Sequence, residues 1–358
     1  MAIDFPSSPA ENQTFTPPGG PTYVYHAPIW ELVPGLVGAA PFAAFARNNI
    51  VVNGSFNVVQ EYGYGVTTGW RTYNNAYWID QWKFSVVLAT HGGANFELGS
   101  VQTSTPFGRC GQIKIYGAGN SFAGASDYVG AYQHIEGYRM APLSFGYANA
   151  IPVTLSFWVY ASVTGTFTVI LGYSKAFLHN FTVNAANTWE YKTFTFPPDT
   201  TGAQTDWPVG AGTGAYLQFC FAAGSTQKTA TPDVWATWGQ SSTPLQSNFF
   251  ASVNNAVYLT GVCLLPGSVA PTAAESALLQ RSFLDEEALC QRYYMKIPML
   301  ITTNYVYQPH ITSMRASPSV TPITATGDTW VFGGDQHSWG GYASNFIGGN
   351  GLVLNARL

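Results

Sequence analysis

Trp70, Trp78, Trp82, Trp158, Trp207, Trp235 and Trp238 are spread, with many tyrosines, through the middle of this chain and form its richest chemical signal. A flat aromatic face stacks on the apolar C–H face of a sugar ring, while neighbouring Asn, Gln and Asp side chains bond its hydroxyls. The stretch DVWATWGQSS, residues 233–242, sets Trp235 and Trp238 three residues apart in a polar, loop-like setting with Asp233 and Gln240 beside them. These four are the candidate glycan-binding residues. The competing use of the two tryptophans is to fill a subunit contact or the edge of a sandwich. Trp82 and Trp158 stand in apolar strand-like runs and are assigned to the core, and Asp80, in WIDQWKF, to structure.

Other chemistries lack their residues. There is no GxSxG, HExxH or Walker motif, and no GxGxxG between a strand and a helix. His26, His91, His134, His179, His310 and His337 are scattered, and Asp335 with His337 reads as a solvated turn rather than a metal site. Glycosidic cleavage needs two carboxylates about 5 to 9.5 Å apart in one cleft. Asp80, Asp127, Glu136, Glu190, Asp199, Asp206 and Asp233 share no motif, and Asp199 and Asp206 read as turn residues. The chain is therefore expected to be no enzyme and to carry no metal or cofactor. Cys110, Cys220, Cys263 and Cys290 lie far apart with no CxxC pair, which predicts buried free thiols in a reducing compartment.

Composition narrows the partners. Charged residues make up 9% of the chain, against about 25% in ordinary soluble domains, and the net charge of −4 comes with no basic run. Nothing offers phosphate neutralisation, so nucleic acid is not an expected partner. The first twenty residues lack the basic-then-apolar order of a secretory signal. The most apolar stretch, LVPGLVGAAPFAAFA, is broken by Pro34, Gly35 and Pro41 and is too short to insert in a membrane.

The elements that must position these residues follow from periodicity. Residues 1–46, rich in Pro, Gly and Ala, read as an attachment arm with room for one short strand and no core of its own. From residue 47 to 267, short β-branched and aromatic runs alternate with turn residues. Leu155, Phe157, Val159 and Ala161 face away from Ser156, Trp158, Tyr160 and Ser162, and Tyr191, Thr193 and Thr195 face away from Lys192, Phe194 and Phe196. Eight or more such strands predict an all-β jelly-roll β-sandwich. Residues 268–296 read as a linker and one short α-helix. That stretch gathers charge in a chain of 32 charged residues, with Ser282 and Asp285 at capping-box spacing, Asp285, Glu286 and Glu287 in the first turn, Arg292 and Lys296 at the end, and Pro298 as the stop. Phe283, Cys290, Tyr293 and Tyr294 share one helix side and Leu284 with Ala288 the other, so the helix is expected to pack between two layers, with Arg292 and Glu286 pairing locally. Residues 297–358 return to strand character as a small C-terminal β unit.

A set of stretches carries a resemblance: NGSFNVVQ (53–60), WIDQWKF (78–84), IEGYRM (135–140), VTLSFWVYAS (153–162), TWEYKTFTF (188–196), VYLTGVCLLPGSVA (257–270), RSFLDEEALCQRYYMK (281–296) and SMRASPSVT (313–321). In this order they resemble the jelly-roll virion proteins of tailed phages, the tail-fibre, head-fibre and baseplate components. The sandwich of those proteins is similar to the carbohydrate-binding modules of glycoside hydrolases. The match is most specific over Glu287 to Tyr294. The resemblance implies a non-enzymatic structural protein made in the host cytoplasm and displayed on the virion surface. It also implies a homotrimer, held to other virion proteins through residues 1–46, that binds host cell-surface polysaccharide during adsorption. Related modules carry a calcium-linked Asp in the final strand. Leu259, Thr260, Gly261 and Val262 stand there instead, so calcium is not expected. Two alternatives remain: an adaptor or capsid-stabilising protein with no glycan ligand, and a depolymerase whose carboxylates meet between chains.

Overall fold

The computed structural model describes residues 5–16, 23–32, 48–69, 76–87, 95–105, 107–116, 124–201, 203–228, 231–301, 305–309, 314, 319–324, 329–334, 338–345, 349–355 and 357. Trp70, His91, His310, Asp335 and His337 lie outside them. Strands β1 (Thr14–Phe15), β2 (Tyr23–His26) and β3 (Ile29–Leu32) form a small antiparallel sheet. Phe5 stacks on Trp30 at 5.3 Å and meets Tyr23 edge-on at 4.9 Å, so the N-terminal segment builds an aromatic cluster of its own. The single coreless strand expected there is corrected to this three-stranded unit, because five aromatic rings supply the packing that Pro and Gly cannot.

The sandwich comprises β4 (Gly65–Gly69), β5 (Ala76–Ile79), β6 (Trp82–Val87), β7 (Asn95–Gln102), β8 (Arg109–Tyr116), β9 (Tyr128–Glu136), a short helix α1 (Gly137–Met140), β10 (Val153–Ala161), β11 (Gly165–Gly172), β12 (Lys175–Val183), β13 (Thr188–Phe196), β14 (Thr213–Ala223), β15 (Trp235–Thr237) and β16 (Ala256–Pro266). One sheet runs β13-β10-β16-β8-β7-β4 and the other β15-β12-β11-β14-β9-β6-β5, antiparallel throughout. The chain is thus an all-β jelly-roll sandwich followed by a short α-helix and a small β unit.

Period-two alternation builds the core, as read from the sequence. Leu155, Phe157, Val159 and Ala161 of β10 are buried against Leu217, Phe219 and Phe221 of β14, with Phe157 and Phe219 edge-to-face at 5.0 Å. Trp82 is fully buried and stacks on Phe56 at 5.0 Å. Gly261, at φ +62, makes the bulge by which β16 slips past β10. A Cβ there would stand 2.5 Å from the Phe107 ring, which is why Gly occupies the position. Trp158 departs from its core assignment. It lies on the outer face of the six-stranded sheet, half-buried, donates from Nε1 to Ser276 Oγ at 3.0 Å and packs on Tyr191. All four cysteines are free and buried.

Helix α2 (Phe283–Gln291) is shorter than expected. Ser282 caps it, accepting from the Asp285 N–H at 3.2 Å, but strand β17 (Tyr294–Ile301) begins three residues after its end. Lys296 and Pro298 therefore lie in a strand and do not close the helix. Nor does the helix sit between two layers. Cys290 and Glu286 are buried, Cys290 against Val52 and Val58, whereas Phe283 and Leu284 are 47% and 74% exposed. The expected Arg292–Glu286 pair is replaced by one long-range pair and one local one. Arg292 Nη2 meets Glu136 Oε1 at 2.7 Å, where Tyr293 also donates to Glu136, and Glu286 binds Arg281 at 3.2 Å. Beyond it, β17 joins β22 (Gly349–Asn355) and β19 (Ser319–Thr324), while β18 (Tyr305–Pro309), β21 (Ser338–Asn345) and β20 (Thr329–Gly334) form a second small sheet.

Candidate functional site

The outer face of the seven-stranded sheet divides into a roofed half and an open half. Over β11 and β12, residues 238–247 lie flat on the sheet. Gln246 Oε1 accepts from Thr168 Oγ1 at 2.9 Å, Gln246 Nε2 donates to the Cys220 carbonyl, and Thr243 Oγ1 donates to Asn180. Trp238 sits at the edge of this roof, its ring on Ile170, Ala176 and Leu178 and its N–H on Gln240 O at 3.1 Å. Over β14, β9 and β6 no described segment lies across the sheet, and a cleft of about 560 Å³ stands there.

The cleft is made by the half of each alternation that the core does not use. In β9, Val129, Ala131 and Ile135 face inward, so Tyr128, Tyr132 and His134 face out. Tyr216 and Gln218 reach it from β14, and Lys83 and Ser85 from β6. Register aligns them in rungs: Tyr216 opposite His134, and Gln218, Tyr132 and Lys83 in one line across three strands. Rings run across the strands, with Trp238 edge-on to Tyr216 at 5.3 Å, Tyr216 to His134 at 4.6 Å, and Tyr173 parallel to Tyr216 at 6.0 Å. Gly130 gives Tyr128 its space, since a Cβ there would fall 2.3 Å from the phenol oxygen.

The polar chemistry is one ammonium and one imidazole among phenols, hydroxyls and amides that both donate and accept. Lys83 Nζ lies 3.1 Å from His134 Nε2, and His134 Nδ1 lies 2.9 Å from Thr213 Oγ1. With Lys83 charged, Nε2 accepts and Nδ1 carries the proton. Burial, and then the Arg357 charge, pull Lys83 down to about 8, and burial pushes the Tyr128, Tyr132 and Tyr216 phenols up. Tyr128 Oη and Gln218 Nε2 are buried and make no hydrogen bond among the described residues. Each such group costs roughly 1–3 kcal/mol unless something bonds it.

No protein-family model matches the chain, and no curated protein matches it. Solved structures do. The family 11 carbohydrate-binding module from Clostridium thermocellum, in complex with a β-1,3-1,4-mixed-linked tetrasaccharide, is 10% identical. The match covers 58% of this chain and 99% of that one, at a TM-score of 0.29. A family 4 carbohydrate-binding module is 15% identical over 60% of this chain and 97% of its own, at 0.30. The N-terminal cellulose-binding domain of Cellulomonas fimi β-1,4-glucanase C is 14% identical over 56% and 95%, at 0.27. At such scores the cleft's own residues, not these neighbours, must carry any functional reading.

The four candidate residues do not share one place. Trp238 walls the cleft, and Gln240 lies behind it, holding the Trp238 N–H through its carbonyl and donating to Thr226 O at 3.4 Å. Trp235 is turned the other way. Its ring packs on Phe145, Phe177 and Trp207 at the sandwich edge, and its N–H bonds Pro197 O at 3.1 Å. Asp233, in a turn at φ +63, reaches His179 Nδ1 at 2.6 Å on that same edge. Asp199, read as a turn residue, is instead a buried anchor, meeting Lys175 at 2.6 Å and accepting from Trp207 Nε1 at 2.9 Å. Tyr128, Tyr132, His134, Tyr216, Gln218 and Lys83 were missed. All but Lys83 stand in YVGAYQHIE and AYLQFCF, and Lys83 stands in WKFSVV; each alternates with inward residues, but alternation alone does not show what covers the outer face.

Proposed function

We propose that this chain binds a glycan, laid as an extended polysaccharide across β14, β9 and β6, and does not cleave it. The observation that carries this reading is the pair of buried donors that have no partner among the described residues, Tyr128 Oη and Gln218 Nε2, in a cleft walled by Trp238 and Tyr216. Sugar hydroxyls are both donors and acceptors on an apolar ring, so one ligand class answers the rings and the unmet polar groups together. Binding is favoured over hydrolysis because no Asp or Glu is among the described residues lining the cleft, where cleavage needs two.

The sequence resemblance supports a place on a phage particle. There residues 1–46 attach to other virion proteins, the subunit is a homotrimer, and weak contacts per copy are multiplied by valency during adsorption. The test is Trp238→Ala, with Trp235 left in place, on a glycan array and by titration against the glycans that bind. Affinity should fall at least about tenfold while a melting curve shows the variant still folded, as for a well-packed aromatic anchor. An array on which the wild-type protein binds nothing removes the glycan reading and leaves the purely structural role.

A further inference from the structure

The opposite face of the sandwich carries a second set of outward rings, separate from the cleft. On the outer side of the six-stranded sheet, residues 271–279 roof one half. Ser276 Oγ accepts from Trp158 Nε1 at 3.0 Å, the Pro271 carbonyl accepts from the Tyr191 hydroxyl at 2.8 Å, and Leu279 packs on Cys263 and Leu265. Past that roof a pocket of about 270 Å³ stands on the sheet. Its floor is a single rung. Trp189 of β13, Tyr160 of β10 and Tyr258 of β16 are direct cross-strand partners, with ring centroids 5.6 and 5.3 Å apart. All three are half-buried on the outer side, since Val159, Val257 and Leu259 take the inward phase.

The wall is polar. Gln102, Thr103 and Ser104 stand where the chain leaves β7. Thr103 Oγ1 accepts from the Thr105 N–H at 3.3 Å, which leaves its own proton to donate. Tyr160 donates to Asn187 Oδ1 at 3.2 Å, which leaves its oxygen to accept. Cys110 completes the lining as a neutral thiol, which burial pushes up to about 12. No described lining residue is therefore charged at neutral pH. Rings beside amide and hydroxyl groups of both senses complement a neutral sugar, apolar on its C–H face and both donor and acceptor at its edge. A protein partner would need far more surface. Seven described residues line the pocket, against about 20–30 a side in a standard interface. The volume lies at the small end of ligand pockets, about 300–1,000 Å³, which suits a short glycan rather than a long strand.

We propose that this pocket is a second glycan site, taking one or two neutral sugar rings on Trp189, Tyr160 and Tyr258, so that one chain holds glycan on both faces of the sandwich. The ligand class follows from the pocket's own lining, so the site stands or falls apart from the cleft. Two sites let one chain join two polysaccharide strands, which multiplies weak contacts.

The experiment follows the indole N–H resonances of the full chain in titrations to millimolar cellotetraose, xylotetraose, chitotetraose, mannotetraose and galactotetraose. Trp189→Phe and Trp238→Phe assign the two signals. At least one of these sugars should shift the Trp189 resonance saturably. Tyr258→Leu should weaken that binding about tenfold, as for one aromatic anchor, and Trp238→Ala should leave it unchanged. Melting curves show that each variant is folded; if the Leu variant fails to fold, the wild-type titration still decides. A Trp238 signal that moves while Trp189 stays still for every sugar overturns the second site and leaves the cleft standing. The reverse leaves the second site standing and removes the cleft as a binder of these sugars. Stillness of both overturns the second site. So does a Trp189 shift that survives Tyr258→Leu undiminished or is lost with Trp238→Ala. A Trp189 signal that moves on dilution without sugar marks the face as a contact between copies and also overturns it.

Discussion

Asp80 shows how far a residue's role departs from its letter. It is 1% exposed at the turn between β5 and β6, accepts from Gln60 N–H at 3.2 Å and Nε2 at 2.6 Å, and has Arg357 close by. Burial outweighs all three, and the carboxyl rises from 3.8 to about 6. The folded protein therefore holds a proton that the unfolded chain has lost between those values. The group's contribution is complete below about 4 and disappears as pH rises through about 6, a swing of about 3 kcal/mol. Denaturant unfolding of wild type and Asp80→Asn from about pH 4 to pH 8 should show wild type losing that much relative to the variant. A pH-independent difference would refute the assignment. Such a residue is legible only as structural, because sequence shows the acid and not its burial. Trp82 was fully legible, since its phase in a strand put it inward. Trp238 was half legible: its polar setting marked a loop, but the loop's path across β11 and β12 separated it from Trp235. Lys83, Tyr132 and Gln218 were illegible as a site because register, not spacing, puts them in line.

At the scale of elements, alternation made the sandwich readable and left the helix only half so. Ser282 and the acids after it mark where α2 begins. Its end was obscured because Tyr294 pairs with Asn355 in β22, a long-range contact that outweighs local helix propensity. The helix does not hold its place by an apolar stripe, since Phe283 and Leu284 are exposed. It is fixed by Glu286, which accepts from the Asn53 N–H at 2.6 Å and binds Arg281, itself donating to Val51 O at 3.0 Å. Both side chains of this pair are 5% exposed. Glu286→Gln leaves a buried guanidinium unanswered and should cost about 3–5 kcal/mol in unfolding free energy. Pairing it with Arg281→Met should restore a substantial part. Additive losses in that double-mutant cycle would mean the two do not act as a pair.

At the scale of the molecule, Arg357 ties the C-terminal strands back to the sandwich. Arg357 binds Glu61, lies 3.6 Å from Asp80, and covers the Tyr77 and Tyr294 rings at 4.3 and 3.8 Å. Beside it, Gln60 Nε2 donates to the Tyr294 carbonyl at 2.8 Å, where β17 begins. Tyr77 also receives Lys83, so the tie ends at the rim of the cleft. This closeness makes a distinctive expectation. Arg357→Ala should let limited proteolysis cut within residues 297–358 several-fold faster than in wild type, since local opening governs cleavage, while the sandwich resists as before. The same variant removes the like charge beside Lys83, so the Lys83 ammonium should titrate above its value of about 8. NMR of the lysine side-chain resonances reads that change, and protease mapping reads the other. Faster cleavage with an unmoved Lys83 titration would mean that Arg357 holds the strands without reaching the cleft electrostatically. No change in either would mean the other contacts of β17 suffice to hold the C-terminal unit in place.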